Sequence, residues 1–267
     1  MQDKHDMDIF VVDAFTDQHF KGNSAAIMPV TTFPDASLMQ RIAAENNLSE
    51  TAFIKPTGDN TYAIRWFSPL TEIDFCGHAT LASAFVLYQF YQLKGEITFT
   101  TEQVGTLTVK QAPNGNIEMN FPCQPGEEVE PPAALLKGLS ITPTKVLKNR
   151  QAYIAVLPSE QAVQDVVCDS EQLKQLAPHD IAVTAQSTQY DFVSRYFWPA
   201  NGGYEDPVTG SIHTALAPYW AEQLGKRELT AYQASQRGGV LQCKMIDNNR
   251  IIIAGSAVLY LRGKVYL

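Results

Sequence analysis

The stretch DFCGHATLASAF, residues 74–85, decides how the chain is read. From Ala79 onward, Thr80 aside, it is a smooth run of apolar and small residues that reads as a helix. Cys76, Gly77 and His78 then fall at the helix N-terminus, where backbone N–H groups are unpaired and the helix dipole is positive. A second stretch, TGSIHTALAPYWAEQL at 209–224, has the same build: a glycine, a small or polar residue, then an Ala/Leu-rich run. Gly77 and Gly210 lie 133 positions apart, almost half of the 267 residues. An internal duplication leaves such spacing; a coincidental pair of similar helices fits it equally well.

Outward from these two stretches, β-branched and alternating runs dominate, among them DIFVVDAF, TAFIKP, YAIRWF, DIAVTAQ, YDFVSRYFW and RIIIAGSAVLYL. Gly, Pro, Asn and Asp punctuate them as they do strand ends. Helical patterns are expected only near 35–47, 77–93, 170–177 and 210–224, with Pro218 kinking the last of them or ending its first part. Many strands with one long helix per half make an α+β protein rather than a series of βαβ units. The segment FPCQPGEEVEPPAALL gathers four of the fifteen prolines with three glutamates, a boundary composition. The halves are therefore expected at 1–122 and 123–256, with the C-terminal segment 257–267 a candidate strand for the first half's sheet.

Composition excludes several classes. Hydrophobic residues make up 45% and charged residues 18%, which suits a packed globular core. Net charge is −8 with no basic cluster, so neither nucleic acid nor an anionic membrane is an expected partner. The start MQDKHDMDIFVVDAF has acidic residues where a signal peptide carries positive charge, and no apolar run reaches about 18 residues. Four scattered cysteines, at 76, 123, 168 and 243, form no C-x-x-C pair. They fit reduced thiols in cytoplasm better than a zinc site or disulfide framework.

Several residues are chemically suggestive. Glu50 directly precedes an apolar strand in NNLSETAFI; a carboxylate desolvated there suits a general base near neutrality. Taken alone, it is more commonly a solvated loop glutamate. His78, in the first turn of its helix, is expected as a neutral imidazole because the positive helix end opposes its charge. Its plain alternative is a structural cap. Asp206 and Ser211 flank the second helix start, where the amides of Gly210 and Ser211 suit an anionic oxygen; capping by Asp206 and Thr209 is the alternative. Cys76 reads as a small buried hydrophobe before a lowered-pKa thiol. Arg237, in QRGGVL, reads as part of a tight turn before a carboxylate clamp. TGSIH is no G-x-S-x-G elbow, and no metal-ligand spacing is evident.

Taken together, VDAFTDQHFKGNSAAIM, NLSETAFI, IRWFSPLTEIDFCGHATLASAFVL, EDPVTGSIHTALAPYW and QASQRGG resemble the phenazine-biosynthesis PhzF-like family along the whole chain. GNS at 22–24 departs from it, since that family more often has proline third. The resemblance implies the diaminopimelate-epimerase fold: two similar halves, each a curved, mostly antiparallel sheet around a central helix, with the helix N-termini meeting at a cleft. It implies Glu50 as acid/base, His78 and Asp206 as groups that hold or relay protons, and Gly77, Gly210 and Ser211 as anion-binding positions. The implied activity is an isomerisation that moves a proton between carbons of a small anionic metabolite, without metal or cofactor. A homodimer is implied too, in line with the frequency of two-fold oligomers. Racemases of this fold use one thiol per half. Cys76 fits the first position, but Thr209 occupies the second, which disfavours a two-thiol epimerase. An epimerase using Glu50 with Cys76 or Asp206, and a ligand-binding protein without turnover, remain the alternatives. Phe67, Ser68, Tyr204 and Arg237 are the candidates for substrate specificity.

Overall fold

The computed structural model describes residues 6–247 and 249–267; positions 1–5, part of the start weighed above against a signal peptide, lie outside them. Strands dominate and helices are few, the α+β class expected. The chain divides into two compact units, Met1–Asn120 with Ala254–Leu267, and Phe121–Ile253. No helix among the described residues is long and apolar enough to cross a membrane.

In the first unit, strand Asp6–Ala14 pairs antiparallel with both Ala257–Tyr266 and Asn23–Pro29. Asn23–Pro29 then runs parallel to Glu50–Gly58, reached through helix Ala36–Asn46. Glu50–Gly58 is antiparallel to Thr61–Phe67, which is parallel to Ile97–Thr100 across helix Gly77–Phe90. Antiparallel Thr106–Gln111 follows. The second unit repeats this alternation. Lys145–Lys148 is antiparallel to Ala152–Val156, which is parallel to Asp180–Gln186. Asp180–Gln186 is antiparallel to Phe192–Phe197, which is parallel to Glu228–Gln233 across helix His213–Leu224, and antiparallel Gly239–Met245 follows. Each long Ala-rich helix is thus the crossover between the second parallel strand pair of its unit, because parallel neighbours need a long connection. This shared order carries the twofold organisation more firmly than the residue spacing does.

Helix Gly77–Phe90 is buried on nearly every face, as an all-round apolar helix must be. Its two buried hydroxyls satisfy themselves within the helix, Thr80 Oγ1 donating to Cys76 O at 2.6 Å and Ser83 Oγ to Ala79 O at 2.7 Å. Gln92, at φ 55°, ends the run earlier than position 93. The second helix starts at His213, not 210. Residues Gly210 to Ile212 instead form a tighter turn, in which the amides of His213, Thr214 and Ala215 bond back three residues. Pro218 does not end this helix. The carbonyl it leaves without an intrahelical donor, that of Thr214, accepts the Gln124 amide at 2.9 Å. Short helices at Ala133–Gly138 and Glu160–Asp165 were not expected; each is a turn or two with little room for a 3.6-residue pattern.

Candidate active site

Glu50 is the first residue of its strand, opposite Ala25 in the parallel partner. Its Oε2 lies 2.9 Å from Nε2 of His78, and the two side chains are only 15% and 7% exposed, which rules out a solvated loop glutamate. The same pairing brings in Asn23, two residues before Ala25; its Nδ2 is 3.3 Å from Nδ1 of His78. Cys76 Sγ is 3.4 Å from that same ring nitrogen. One ligand atom each from Glu50, Cys76 and His78 falls within 4.8 Å of the others, a donor set that suits a zinc-like ion as well as proton transfer. The sequence offered all three residues but not their contact, because pairing of a strand mouth with a helix entry is not written in a linear pattern.

Electrostatics here differ from the sequence reading in one respect. Burial opposes charge on His78, but Cys76 and Glu50 outweigh it and raise the ring's pKa well above the ordinary value. Burial first, then Glu50, pushes the Cys76 thiol up to about 11, so it stays protonated near neutrality and Glu50 is the partner that matters. A full carboxylate charge at 2.9 Å outweighs the partial charge of a helix end. The expected neutral imidazole is therefore replaced by one disposed to carry a proton. No side chain caps helix Gly77–Phe90, so the amides of Gly77 and His78 remain at its open end.

In the second unit, neither Asp206 nor Thr209 caps the helix. The Thr209 hydroxyl donates instead to the Asp206 carboxylate in a short bond. Fully buried Gln233 holds this loop at two points, accepting the Thr209 amide at 2.9 Å and donating to the Asp206 carbonyl at 2.8 Å. His213, also fully buried, lies with Nδ1 2.8 Å from the Thr209 carbonyl oxygen, and burial lowers its pKa to about 4. As a neutral ring it donates there. Ser211 Oγ accepts from Gln151 Nε2 at 2.9 Å. Gly210 and Ser211 are both in the turn before the helix rather than inside it.

Arg237 is half-buried in the turn joining Glu228–Gln233 to Gly239–Met245, where Gly238 adopts φ 68°. The proposed specificity residues separate. Phe67 is core, 1% exposed and edge-on to Phe53 at 5.7 Å, so it lines nothing. Ser68 closes its own turn by accepting the Thr71 amide at 3.0 Å. Tyr204 is half exposed, edge-on to Phe197 at 5.7 Å. Sequence reading missed Asn23, Gln151, Asp180, Tyr196, Gln233 and His213. Asp180 carried a usable signal: it opens DIAVTAQ 130 residues after Glu50 opens ETAFI, nearly the spacing of the two helix glycines.

With strand order and helix placement established, the chain falls in the α+β class of epimerase-like folds. A hydroxyproline epimerase from Agrobacterium vitis, solved with trans-4-hydroxy-L-proline bound, superposes at TM-score 0.63 over 100% of this chain and 94% of its own, at 9% identity, which is a likeness of fold alone. The family model for phenazine biosynthesis-like proteins (PhzC-PhzF) matches residues 12–263, and the chain belongs to that family. An uncharacterized isomerase of Halalkalibacterium halodurans is 47% identical over 264 residues, covering 97% of this chain and 98% of that protein. A crystal structure of a PhzF-family protein from Enterococcus faecalis matches at TM-score 0.93 and 40% identity, covering 98% of this chain and 100% of its own.

Proposed function

We propose that this protein is a cofactor-independent isomerase that moves a proton between carbons of a small anionic metabolite, with Glu50 as general acid/base. The observation that carries the reading is the buried Glu50–His78 contact of 2.9 Å beside an uncapped helix N-terminus. The Glu50 carboxylate takes a proton from a carbon next to an electron-withdrawing group, and the electron pair left behind spreads into that group as an enolate-like anion. The protonated Glu50 returns the proton to another carbon of the same system. As Glu50 becomes neutral, His78 Nε2–H is released to hydrogen-bond the developing oxyanion, together with the open amides at the helix start. Asp206 and Ser211 act on the polar groups of the substrate. PhzF-family membership and the isomerase name carried by the Halalkalibacterium halodurans relative support the reaction class.

A thiol-based epimerase is the weaker reading. Cys76 is held as a thiol, at about 11, and Thr209 stands where a second thiol would be needed. Four cysteines outside any disulfide support a cytoplasmic setting, and a homodimer follows family habit. The test is deuterium uptake from deuterated water into carbon positions of a panel of small cyclic and amino carboxylic acids, followed by proton NMR, with Glu50→Gln beside the wild type. Uptake with wild type alone supports the proposal. A panel acid that binds without exchange favours a binding protein.

A further inference from the structure

The repeated strand order gives Glu50 a counterpart. Glu50 opens the strand that runs parallel opposite Ala25; Asp180 opens the strand that runs parallel opposite Ala152. In the first unit the acidic residue touches the residue after the helix-entry glycine, His78, directly. In the second it reaches the corresponding residue, Ser211, through two side chains. Tyr196 Oη donates to Asp180 Oδ2 at 2.6 Å, Gln151 Nε2 donates to Tyr196 Oη at 2.9 Å, and the same nitrogen donates to Ser211 Oγ at 2.9 Å. Asn201 Nδ2 holds the other Asp180 oxygen at 2.7 Å. Tyr196 is 4% exposed, and Gln151, Asp180 and Ser211 are half-buried.

Donor and acceptor capacities then fix the direction of every bond. An ionised carboxylate only accepts, so Tyr196 must spend its one hydrogen on Asp180. Tyr196 oxygen is thereby left as an acceptor, and takes one Gln151 N–H. The other Gln151 N–H goes to Ser211 oxygen, and both amide hydrogens are consumed. Ser211, already accepting, keeps its own hydroxyl hydrogen for something else, and among the described residues that hydrogen has no acceptor. We propose that Asp180, Tyr196 and Gln151 are positioning residues that fix Ser211 as a hydrogen-bond donor, aimed at an anionic or carbonyl oxygen of the substrate. The proposal rests on the assignment of Ser211 to substrate made above. Burial raises the Asp180 pKa, opposed by the hydrogen bonds from Tyr196 and Asn201 and by the nearby His179.

The test begins without ligand, on the full chain. Nitrogen-15/proton NMR follows the two side-chain amide protons of Gln151 in wild type, Ser211→Ala, Tyr196→Phe and Asp180→Asn. In wild type both should exchange with solvent at least about tenfold slower than a free glutamine amide. Ser211→Ala should release one of them and Tyr196→Phe the other. Asp180→Asn, which can donate to Tyr196 and so reverse the chain, should shift both. Wild-type amide protons that exchange freely, or that ignore Asp180→Asn and Tyr196→Phe, overturn the relay. With the panel acid that wild type turns over, Asp180→Asn and Tyr196→Phe should each raise KM about tenfold with kcat within about twofold, and neither should add to Ser211→Ala. Full additivity overturns the positioning role. Wild-type kinetics in Ser211→Ala overturn the substrate assignment of Ser211, while the ligand-free spectra still decide the relay itself.

Discussion

At His78 two influences oppose each other: burial and the helix end disfavour charge, and the Glu50 carboxylate 2.9 Å away favours it. Replacing that carboxylate by an amide of the same shape leaves only the unfavourable side. In Glu50→Gln the His78 ring should therefore titrate well below its wild-type midpoint, measured by ring-proton NMR; an unchanged midpoint would show that Glu50 is not its partner. Cys76 gives a second prediction at this scale. Its thiol sits near 11 through burial and Glu50, so Cys76→Ala should retain most proton-transfer activity. A thousandfold loss, about 4 kcal/mol of barrier, would restore the thiol as a base. Glu50, Cys76 and His78 were legible as candidates because strand-mouth acids and helix-start residues are visible in a linear pattern. Their mutual contact was not. Nor was Asn23, which joins them only through the parallel pairing of two strands separated by a helix.

The elements that carry these residues were mostly legible, and their ends were not. The second Ala-rich helix was readable from 210, yet its opening became a turn, with the helix proper from His213. Apolar periodicity records which residues face the core, and a 3₁₀ turn keeps that facing while changing the bonds. Pro218 reads as a kink or as the end of the helix's first part, and the helix runs on through it; the cost depends on a distant amide, that of Gln124, which no local reading includes. The strand entry at Asn23 offers the sharpest test at this scale. Gly22 has φ 66°, and a Cβ there would meet the Ala14 carbonyl oxygen at 2.1 Å. Gly22→Ala should cost about 1–3 kcal/mol in denaturant unfolding. An unchanged midpoint would mean that this turn relaxes freely.

For the whole molecule, two buried histidines act on stability with opposite signs. His213 titrates at about 4 when folded and near 6.5 when unfolded, so the unfolded chain binds the extra proton between those values. Its contribution is intact above about 6.5 and is lost as the pH falls toward 4. His78, raised above its ordinary value, contributes fully below about 6.5 and loses its contribution as the pH rises through its folded value. Urea unfolding at pH 7 and pH 5 should show His213 alone costing the wild type roughly 2 kcal/mol over that step, a loss absent from His213→Leu. Equal slopes in the two proteins would contradict the burial account of His213. The two similar helices half a chain apart raised the twofold layout without deciding it against coincidence, and the α+β class was within reach of sequence. The alternation of parallel and antiparallel pairs was not, because pairing is a property of partners. One experiment bears most directly on the central claim: proton NMR of the carboxylic-acid panel in deuterated water, wild type against Glu50→Gln, with folding of both verified by denaturant. The account predicts deuterium entering a carbon position with wild type and none with a folded Glu50→Gln. Equal uptake by the two would contradict it and remove Glu50 from the chemistry.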